Sequence, residues 1–200
     1  MIRENSFLQL LSIYAATSGG NALCVKPTNM SILEMRLIVT VSIRSNVVDT
    51  KQDVEGIRPT HVVTCFLMRN DGTEPHILTV RRSQKVGSYH GHWAGISGFV
   101  EPGVTPEEQA FTEIREETSL SREQVRMLRR GKIVEYVDVE LKRHFYVHPF
   151  LFYVLTPAAI KTDWEATEMR WIVPAELHNL TTVPRLPEAY ESASQGEEVP

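Results

Sequence analysis

The sequence predicts an α/β fold in which helices cover a mixed β-sheet. Runs of β-branched and aromatic residues, such as residues 61–70 and 144–155, are typical of strands. A helix with strong start signals follows a loop rich in glycine and proline. Strands and helices alternate irregularly, which favours a mixed sheet. The length of 200 residues suits one domain with additional segments.

Charge and cysteine content narrow the functional classes. The chain has 21 Lys and Arg against 25 Asp and Glu, a net charge of −4 with neutral histidines. Nucleic acid is therefore a disfavoured partner, because its binding proteins usually carry a basic surface. No apolar run approaches a membrane span, so no membrane association is expected. Cys24 and Cys65 lie outside any CxxC pair, which disfavours a zinc site and predicts reduced thiols.

Residues 1–57 form an N-terminal extension of unknown role. We expect a short helix near residues 7–16 and a strand near residues 37–48. The segment after Arg3 is mildly apolar, but Glu4 interrupts its charged start. A cytoplasmic location is therefore favoured, and organelle targeting through this extension is the weaker alternative.

Two strands are predicted next, at residues 61–70 and 76–83. The dipeptide formed by Asp71 and Gly72 between them is a strong hairpin signal. The following segment contains five glycines and two prolines, and it predicts loops around a short strand near residues 93–96.

A helix is predicted from residue 106 to about residue 118. Thr105 is a typical N-cap residue, and Pro106 suits the first helical position. Glu108, three residues after Thr105, completes a capping box.

The C-terminal part contributes further elements to the sheet and its cover. Residues 144–155 are mostly apolar, so this strand is expected to be central. Residues 195–200 are interpreted as a polar tail. The other predicted elements are a short helix within residues 122–130, strands at 132–141 and 168–174, a helical turn at 174–180 and a helix at 184–194.

Three glutamates, Glu113, Glu116 and Glu117, lie within one and a half turns of the predicted helix. Residues three and four apart are neighbours, so all three carboxylates are expected on one face. Arg115 intervenes, and helical geometry is expected to direct it away from them. A solvated acidic face is the simplest explanation. Mg²⁺ is the alternative, because it takes oxygen ligands and would stabilise clustered carboxylates.

Residues 98–120, GFVEPGVTPEEQAFTEIREETSL, resemble the Nudix box of the Nudix hydrolases, G-x5-E-x7-R-E-U-x-E-E-x-G-U, where U is apolar. Gly98 takes the first position and Leu120 the last. Glu113 follows the Arg position, and Glu116 and Glu117 form the E-E pair. The resemblance implies an α/β/α sandwich with a mixed sheet and a Nudix hydrolase domain over residues 58–194.

Three positions depart from the box. Val104 replaces its Glu, Thr112 its Arg and Ser119 its Gly. In the family the Glu and Arg typically pair and steady the loop and helix. Losing both partners avoids leaving an unpaired charge. Ser119 replaces the residue that favours a left-handed helix end, at a cost of about 1 kcal/mol.

The resemblance implies a Mg²⁺- or Mn²⁺-dependent hydrolase that cleaves the pyrophosphate bond of a nucleoside diphosphate linked to another moiety. Glu113, Glu116 and Glu117 would bind the metal, with the Gly98 carbonyl as a further ligand. Glu116 and Glu117 are the candidate catalytic residues.

The residue that takes the proton from water is open. Glu117 is favoured, but many family members place the base in a later loop, where Glu165 and Glu168 are candidates.

Candidate substrate-binding residues lie at and after the end of the second predicted strand. Arg81 and Arg82 face opposite sides of that strand, so one of them could reach a phosphate with help from Lys85. An aromatic ring of the following loop could stack on a nucleobase. Trp93, however, is expected to lie in the core. The aromatic and histidine residues of this loop are Tyr89, His90, His92 and Trp93.

A different class of function stays open beside the enzyme. The box departures favour a catalytically weak or inactive Nudix domain that acts as a nucleotide-binding sensor or as a regulatory interaction module. For the enzyme and for the sensor, the expected partner is a nucleotide-derived small molecule. A homodimer is left open.

Overall fold

The computed structural model describes residues 56–70, 72 and 74–200. Within these residues the chain forms nine strands, two α-helices and three 3₁₀ helices. The strands are β1 (Arg58–Asn70), β2 (Pro75–Arg82), β3 (Trp93–Ala94), β4 (Ile96–Phe99), β5 (Val125–Arg130), β6 (Val134–Asp138), β7 (Arg143–Val154), β8 (Ala166–Ile172) and β9 (Glu197–Glu198). The α-helices are α1 (Pro106–Thr118) and α2 (Leu186–Ser194), and the 3₁₀ helices span Arg122–Gln124, Pro157–Ala159 and Pro174–Asn179. The helix and strand expected near residues 7–16 and 37–48, and Cys24, lie outside the described residues.

The strands form one mixed sheet with β7 at its centre. Strand β7 pairs with β1 in parallel and with β5 and β6 antiparallel. The main order is β3-β2-β1-β7-β5-β9, while β4 pairs with β1, β6 with β7 and β8 with β2. The central position predicted for residues 144–155 is therefore confirmed.

Both faces of the sheet are covered, which gives the predicted α/β/α sandwich. Side chains alternate along β1, so Val63 and Cys65 point to one face and Phe66 to the other. The first face packs under α1, and the second packs under α2. The α1 side is built from residues such as Leu67, Leu78, Ile96, Ala110 and Ile114, and the α2 side from residues such as Phe145, Val147, Leu151, Leu186 and Ala189.

The prediction of a short helix within residues 122–130 is wrong. Only Arg122–Gln124 form a 3₁₀ turn, and the rest is strand β5. Val125 and Met127 are buried while Arg126 between them is exposed. This two-residue period is the signal for a strand, and pairing with β7 stabilises it.

The polar segment at residues 195–200 contains a short strand. Glu197 and Glu198 of β9 pair with Arg130 and Arg129 of β5. The Arg129 guanidinium lies 2.9 Å from a Glu198 carboxylate oxygen. Charge complementarity between neighbouring strands therefore places part of this segment at the edge of the sheet.

The predicted hairpin between β1 and β2 is present. Asn70 pairs with Pro75, and the Gly72 N–H donates to Asn70 Oδ1 at 3.0 Å. Gly72 has φ +109°, a conformation that favours glycine. Asp71 lies outside the described residues. No helix in the described part of the chain is both long and apolar enough to cross a membrane.

Candidate active site

Helix α1 begins where the sequence predicts. The Glu108 N–H donates to the Thr105 hydroxyl at 3.3 Å, and the Thr105 N–H donates to the Glu108 carboxylate at 3.1 Å. This capping box and Pro106 in the first turn fix the start of the helix. The fixed start sets which side chains of α1 meet strand β4.

Glu113 lies against the backbone of β4. A Cβ atom added to Gly98 would collide with the Glu113 carboxylate, so the space used by this carboxylate exists only beside a glycine. Glu113 Oε1 accepts a hydrogen bond from Gln109 Nε2 at 2.7 Å. Burial raises the pKa of Glu113, the Gln109 hydrogen bond opposes that shift, and the Glu116 carboxylate adds to it.

Glu117 is the most deeply buried of the three glutamates. Its residue surface is 7% exposed, and Oε1 accepts a hydrogen bond from the Ser97 N–H at 2.9 Å. Burial raises the pKa of Glu117 to about 9, against the lowering effect of the Ser97 hydrogen bond. The carboxylates of Glu165 and Glu113 raise it further. Glu113 and Glu117 therefore meet adjacent residues of β4.

Glu116 is different, because it faces solvent. Its side chain is 60% exposed, and one oxygen lies 3.5 Å from the Arg115 guanidinium. The expectation that Arg115 points away from the glutamates is therefore wrong. Neighbouring long side chains can approach each other when both are exposed, and such pairs contribute only about 0–1 kcal/mol.

The loop before β8 brings two more carboxylates to the same place. Both Glu165 and Asp163 raise the pKa of Glu117. The Glu165 N–H donates to Asp163 Oδ1 at 2.8 Å. Burial and the Asp163 carboxylate raise the pKa of Glu165, and Arg82 opposes this shift. Glu165 is therefore close enough to the glutamates of α1 and to Arg82 for their charges to act on one another.

The other candidate in this region, Glu168, has different neighbours. Its carboxylate accepts a hydrogen bond from Arg170 Nε at 2.7 Å and lies 3.8 Å from an Arg81 guanidinium nitrogen. The structure therefore separates the two candidates for a later-loop base, and Glu165 is the one beside the cluster.

The residues fit a cation with oxygen ligands. Glu113 and Glu117 form no ion pair within the described part of the chain, and neighbouring carboxylates raise the pKa of both: those of Glu116 and Glu165 act on Glu113, and those of Glu165 and Glu113 act on Glu117. A bound divalent cation would offset that repulsion. Among the described residues, no three acidic, histidine or cysteine side chains are arranged as a complete metal group. Because the Glu116 carboxylate contacts Arg115, it would have to rotate to join Glu113 and Glu117 as a ligand of the cation.

A cleft opens beside the cluster on the α2 side of the sheet. Ser97 and Gly98, which contact the glutamates, also line this cleft. The cleft is therefore adjacent to the carboxylates. Its charged and aromatic lining residues are Arg82, Tyr89, Phe99, Tyr136, Phe145 and Arg185.

Tyr89 forms a hydrogen bond across one wall of the cleft. Its hydroxyl donates to Asp138 Oδ2 on β6 at 2.6 Å. Tyr89 has φ 53°, which is uncommon for a residue other than glycine. The hydrogen bond joins the loop after β2 to β6, two of the parts that line the cleft.

The three predicted substrate-binding residues occupy different places. Arg82 lines the cleft, and its Nε donates to the Ser88 carbonyl at 3.0 Å. Arg81 Nε donates to the Gly91 carbonyl at 3.1 Å, and Arg81 is not among the residues that line the cleft. Lys85 is exposed and is not among the residues that line the cleft.

The ring residues after Ser88 are engaged within their own loop. Trp93 is buried, as expected. His90 Nε2 lies 2.7 Å from the Val86 carbonyl, and His92 Nδ1 lies 3.1 Å from the His90 carbonyl. Tyr89 is therefore the ring of this group that lines the cleft.

The three residues that depart from the box have different local environments. The Thr112 hydroxyl donates to the Glu108 carbonyl at 3.1 Å, within the helix. Val104 is half-buried and has no polar side-chain atom. Ser119 has φ 59°, the left-handed conformation expected of a glycine position.

Sequence reasoning did not select Gln109 or Asp163. Gln109 is four residues before Glu113, so its contact follows from helical spacing. Asp163 is two residues before Glu165, a spacing at which a carboxylate often accepts a backbone N–H. These local signals were available, but only the fold brings Asp163 near α1.

Comparison with known proteins agrees with this architecture. The family model described as NUDIX domain matches residues 58–193. No curated protein matches the sequence.

Solved structures have a similar fold at low sequence identity. The M. smegmatis Nudix hydrolase RenU has TM-score 0.56 and 18% identity, covering 67% of this chain and 83% of that chain. The binary complex of a C. elegans Ap4A hydrolase has TM-score 0.58 and 16% identity, covering 68% and 95%. The NUDIX domain of Shewanella oneidensis NrtR, complexed with ADP ribose, has TM-score 0.55 and 13% identity, covering 78% and 96%. At these identities the likeness shows the fold alone.

Proposed function

The chain belongs to the Nudix family, and from that premise we propose that it hydrolyses the pyrophosphate bond of a nucleoside diphosphate linked to another moiety, using Mg²⁺ or Mn²⁺. The observation that supports this most is the meeting of Glu113 and Glu117 at adjacent residues of β4, beside a cleft that contains Arg82. Phosphoryl transfer needs carboxylates that hold a divalent metal ion and a positively charged side chain that binds a phosphate.

Glu113, Glu116 and Glu117 would hold the cation, with the Gly98 carbonyl as a further ligand. When bound, the cation neutralises charge on the pyrophosphate and lowers the pKa of a bound water. The chain itself positions two of these carboxylates: Gly98 leaves room for Glu113, and the Ser97 N–H orients Glu117. Glu116 is exposed, so it can leave Arg115 without loss of buried contacts.

Glu165 is the better-placed proton acceptor. Sequence reasoning favoured Glu117, but one oxygen of Glu117 is already occupied by the Ser97 N–H and the side chain is buried. Glu165 is half-buried and lies close to the α1 cluster and Arg82. A proton taken from water would therefore move to a carboxylate at the edge of the cluster. Replacing Glu165 with Gln should lower kcat while Mn²⁺ affinity stays near the wild-type value.

The cleft would bind the nucleotide. Arg82 is the residue placed to contact a phosphate, because it lines the cleft and influences the pKa of Glu165. Tyr89, Phe99 and Tyr136 offer aromatic faces on which a base can stack.

A nucleotide sensor is the second candidate function. Thr112 bonds within its own helix, so no side chain at this position orients Glu116, and Glu116 contacts Arg115 instead. A ligand that is not held in place can reduce the rate even where metal binds. The similar NUDIX domain of Shewanella oneidensis NrtR was crystallised with ADP ribose, which supports a nucleotide derivative as the ligand of a sensor.

One experiment separates these candidates. The purified protein is incubated with Mg²⁺ and a panel of ADP-ribose, NADH, dinucleoside polyphosphates and oxidised nucleoside triphosphates. We expect release of a nucleoside monophosphate from at least one member, and loss of that release in Glu116→Gln and Glu117→Gln.

The other outcomes have defined meanings. Tight nucleotide binding without turnover would support the sensor and contradict the hydrolase. Neither binding nor turnover would leave only the interaction module.

A further inference from the structure

We propose that Gln109 is a positioning residue that fixes Glu113 in the space beside Gly98 by tying it to the loop between β4 and α1. This inference rests on the proposed function, because it concerns one of the carboxylates that would hold the cation. Gln109 itself would contact neither cation nor substrate.

The side chain of Gln109 makes two hydrogen bonds in opposite directions. Its Nε2 donates to Glu113 Oε1 at 2.7 Å, and its Oε1 accepts from the Glu101 N–H at 3.2 Å. The partners fix the orientation of the amide, because the reverse orientation would place oxygen against carboxylate and NH₂ against N–H. One side chain therefore links the loop backbone to a carboxylate of the cluster.

Burial makes both hydrogen bonds matter. Gln109 is 5% exposed, so neither end of its amide can exchange its partner for bulk water. A buried amide without partners is destabilising, and this favours one arrangement of loop and helix. Because Glu113 occupies space that only a glycine leaves free, a small displacement of the carboxylate has nowhere to go on the β4 side.

The same region lacks the side-chain pair that the box resemblance leads one to expect. Val104 in the loop is apolar, and the Thr112 hydroxyl is used within the helix. Gln109 supplies a connection between loop and helix in their place. It is neutral, so it adds no charge beside Glu113.

The test compares two glutamines that make similar hydrogen bonds in different places. In Gln109→Met the side chain keeps its approximate volume and loses both hydrogen bonds. Gln124→Met is the matched control: Gln124, on the 3₁₀ turn after α1, also accepts a backbone N–H, from Ser121 at 2.9 Å, and donates to the Thr156 hydroxyl at 3.0 Å, and neither hydrogen bond involves a glutamate of the cluster. Mn²⁺ binding to the nucleotide-free protein is measured by electron paramagnetic resonance, and hydrogen exchange is followed in the peptide that contains the Glu101 amide.

We expect Gln109→Met to bind Mn²⁺ about 10-fold more weakly, because a metal ligand that loses the hydrogen bond orienting it binds the metal less tightly. The Glu101 amide should lose protection, and the metal concentration for half-maximal rate should rise by a similar factor. Gln124→Met should match the wild type in all three measurements. Equal Mn²⁺ affinity in Gln109→Met and wild type would overturn the inference, as would equal losses in both variants.

Failure of the inference is distinguishable from failure of the proposed function. If the wild type hydrolyses nothing in the nucleotide panel, the function fails, while the Mn²⁺ and exchange measurements still report on Gln109. If the wild type is active and Gln109→Met binds Mn²⁺ normally, only the inference fails. A wild-type protein that takes up no Mn²⁺ would overturn both.

Discussion

The burial of the Glu117 carboxyl group reduces the stability of the metal-free protein. Its burial raises the carboxyl pKa to about 9, from an ordinary value of 4.5. The folded state therefore favours the protonated form, while the unfolded chain loses that proton above pH 4.5. The free energy of unfolding in metal-free protein should thus fall as the pH rises from about 4.5 towards about 9.

Glu117→Gln removes this pH-dependent cost and keeps an oxygen for the Ser97 N–H. With EDTA present, we expect the variant to be about 2–3 kcal/mol more stable than wild type near pH 7 and about equally stable near pH 4.5. Urea unfolding at the two pH values measures the difference. Added Mg²⁺ should stabilise the wild type only. A stability difference that does not change with pH would contradict the assigned burial effect.

Arg82 and Arg81 provide a second comparison at the residue scale. Arg82 lines the cleft, whereas Arg81 does not and donates to the Gly91 carbonyl. If Arg82 binds a phosphate, Arg82→Ala should raise KM about 10-fold or more, since a charge-assisted hydrogen bond contributes about 1.5–3 kcal/mol. Arg81→Ala should change KM by less than about twofold, given the small contribution of exposed charges. Steady-state kinetics measures both KM values. A larger rise of KM in Arg81→Ala than in Arg82→Ala would contradict this assignment.

At the scale of elements, local signals predicted α1 well and β5 poorly. The start of α1 depends on Thr105, Pro106 and Glu108, which act within one turn, so the sequence contains the whole signal. The segment with β5 begins with helix-compatible residues but continues with alternating burial at Val125 and Met127. Its strand conformation is completed by pairing with β7, a contact that no local pattern encodes.

The C-terminal end of α1 is strained at Ser119. This residue adopts a left-handed conformation with φ 59°, which costs a residue other than glycine about 1–2 kcal/mol. Glycine is more flexible in the unfolded chain, which offsets part of the gain. We expect Ser119→Gly to raise the free energy of unfolding by about 0.5–1 kcal/mol, with m unchanged in urea denaturation. A destabilised variant would show that the serine side chain contributes a contact of its own.

The loop before α1 and the middle of α1 are coupled through positions 104 and 112. In the wild type, Val104 is half-buried and Thr112 bonds within the helix. Val104→Glu alone or Thr112→Arg alone would add an unpaired charge, whereas the double variant can form an ion pair. We therefore expect the double variant to increase kcat/KM more than the two single changes predict together. A double-mutant cycle measures this coupling, and strictly additive effects would argue against the pairing.

At the scale of the whole molecule, the fold could be predicted further than the site. The strand and helix patterns and the glutamates of α1 are local, so the architecture and the position of Glu113, Glu116 and Glu117 on one helix follow from sequence. The rest of the site needs distant segments. Asp163 and Glu165 approach α1 only because β8 pairs with β2, and which of two neighbouring arginines faces the cleft depends on the sheet.

The cleft is also a property of the whole fold. It is enclosed by β6, by the loop after β2 and by the start of α2, and the Tyr89 to Asp138 hydrogen bond joins two of these parts. Residue spacing in one segment does not predict such an enclosure. Substrate selection is therefore expected to depend on residues outside α1.

The central claim is that the glutamates of α1 bind a divalent cation at the edge of this cleft. The most direct test is Mn²⁺ titration of the wild type and of the Glu116→Gln, Glu117→Gln double variant, with and without nucleotide, followed by displacement with Mg²⁺. We predict saturable Mn²⁺ binding that Mg²⁺ displaces in the wild type, and its loss in the double variant. No Mn²⁺ uptake by the wild type, or equal uptake by both proteins, would contradict the account.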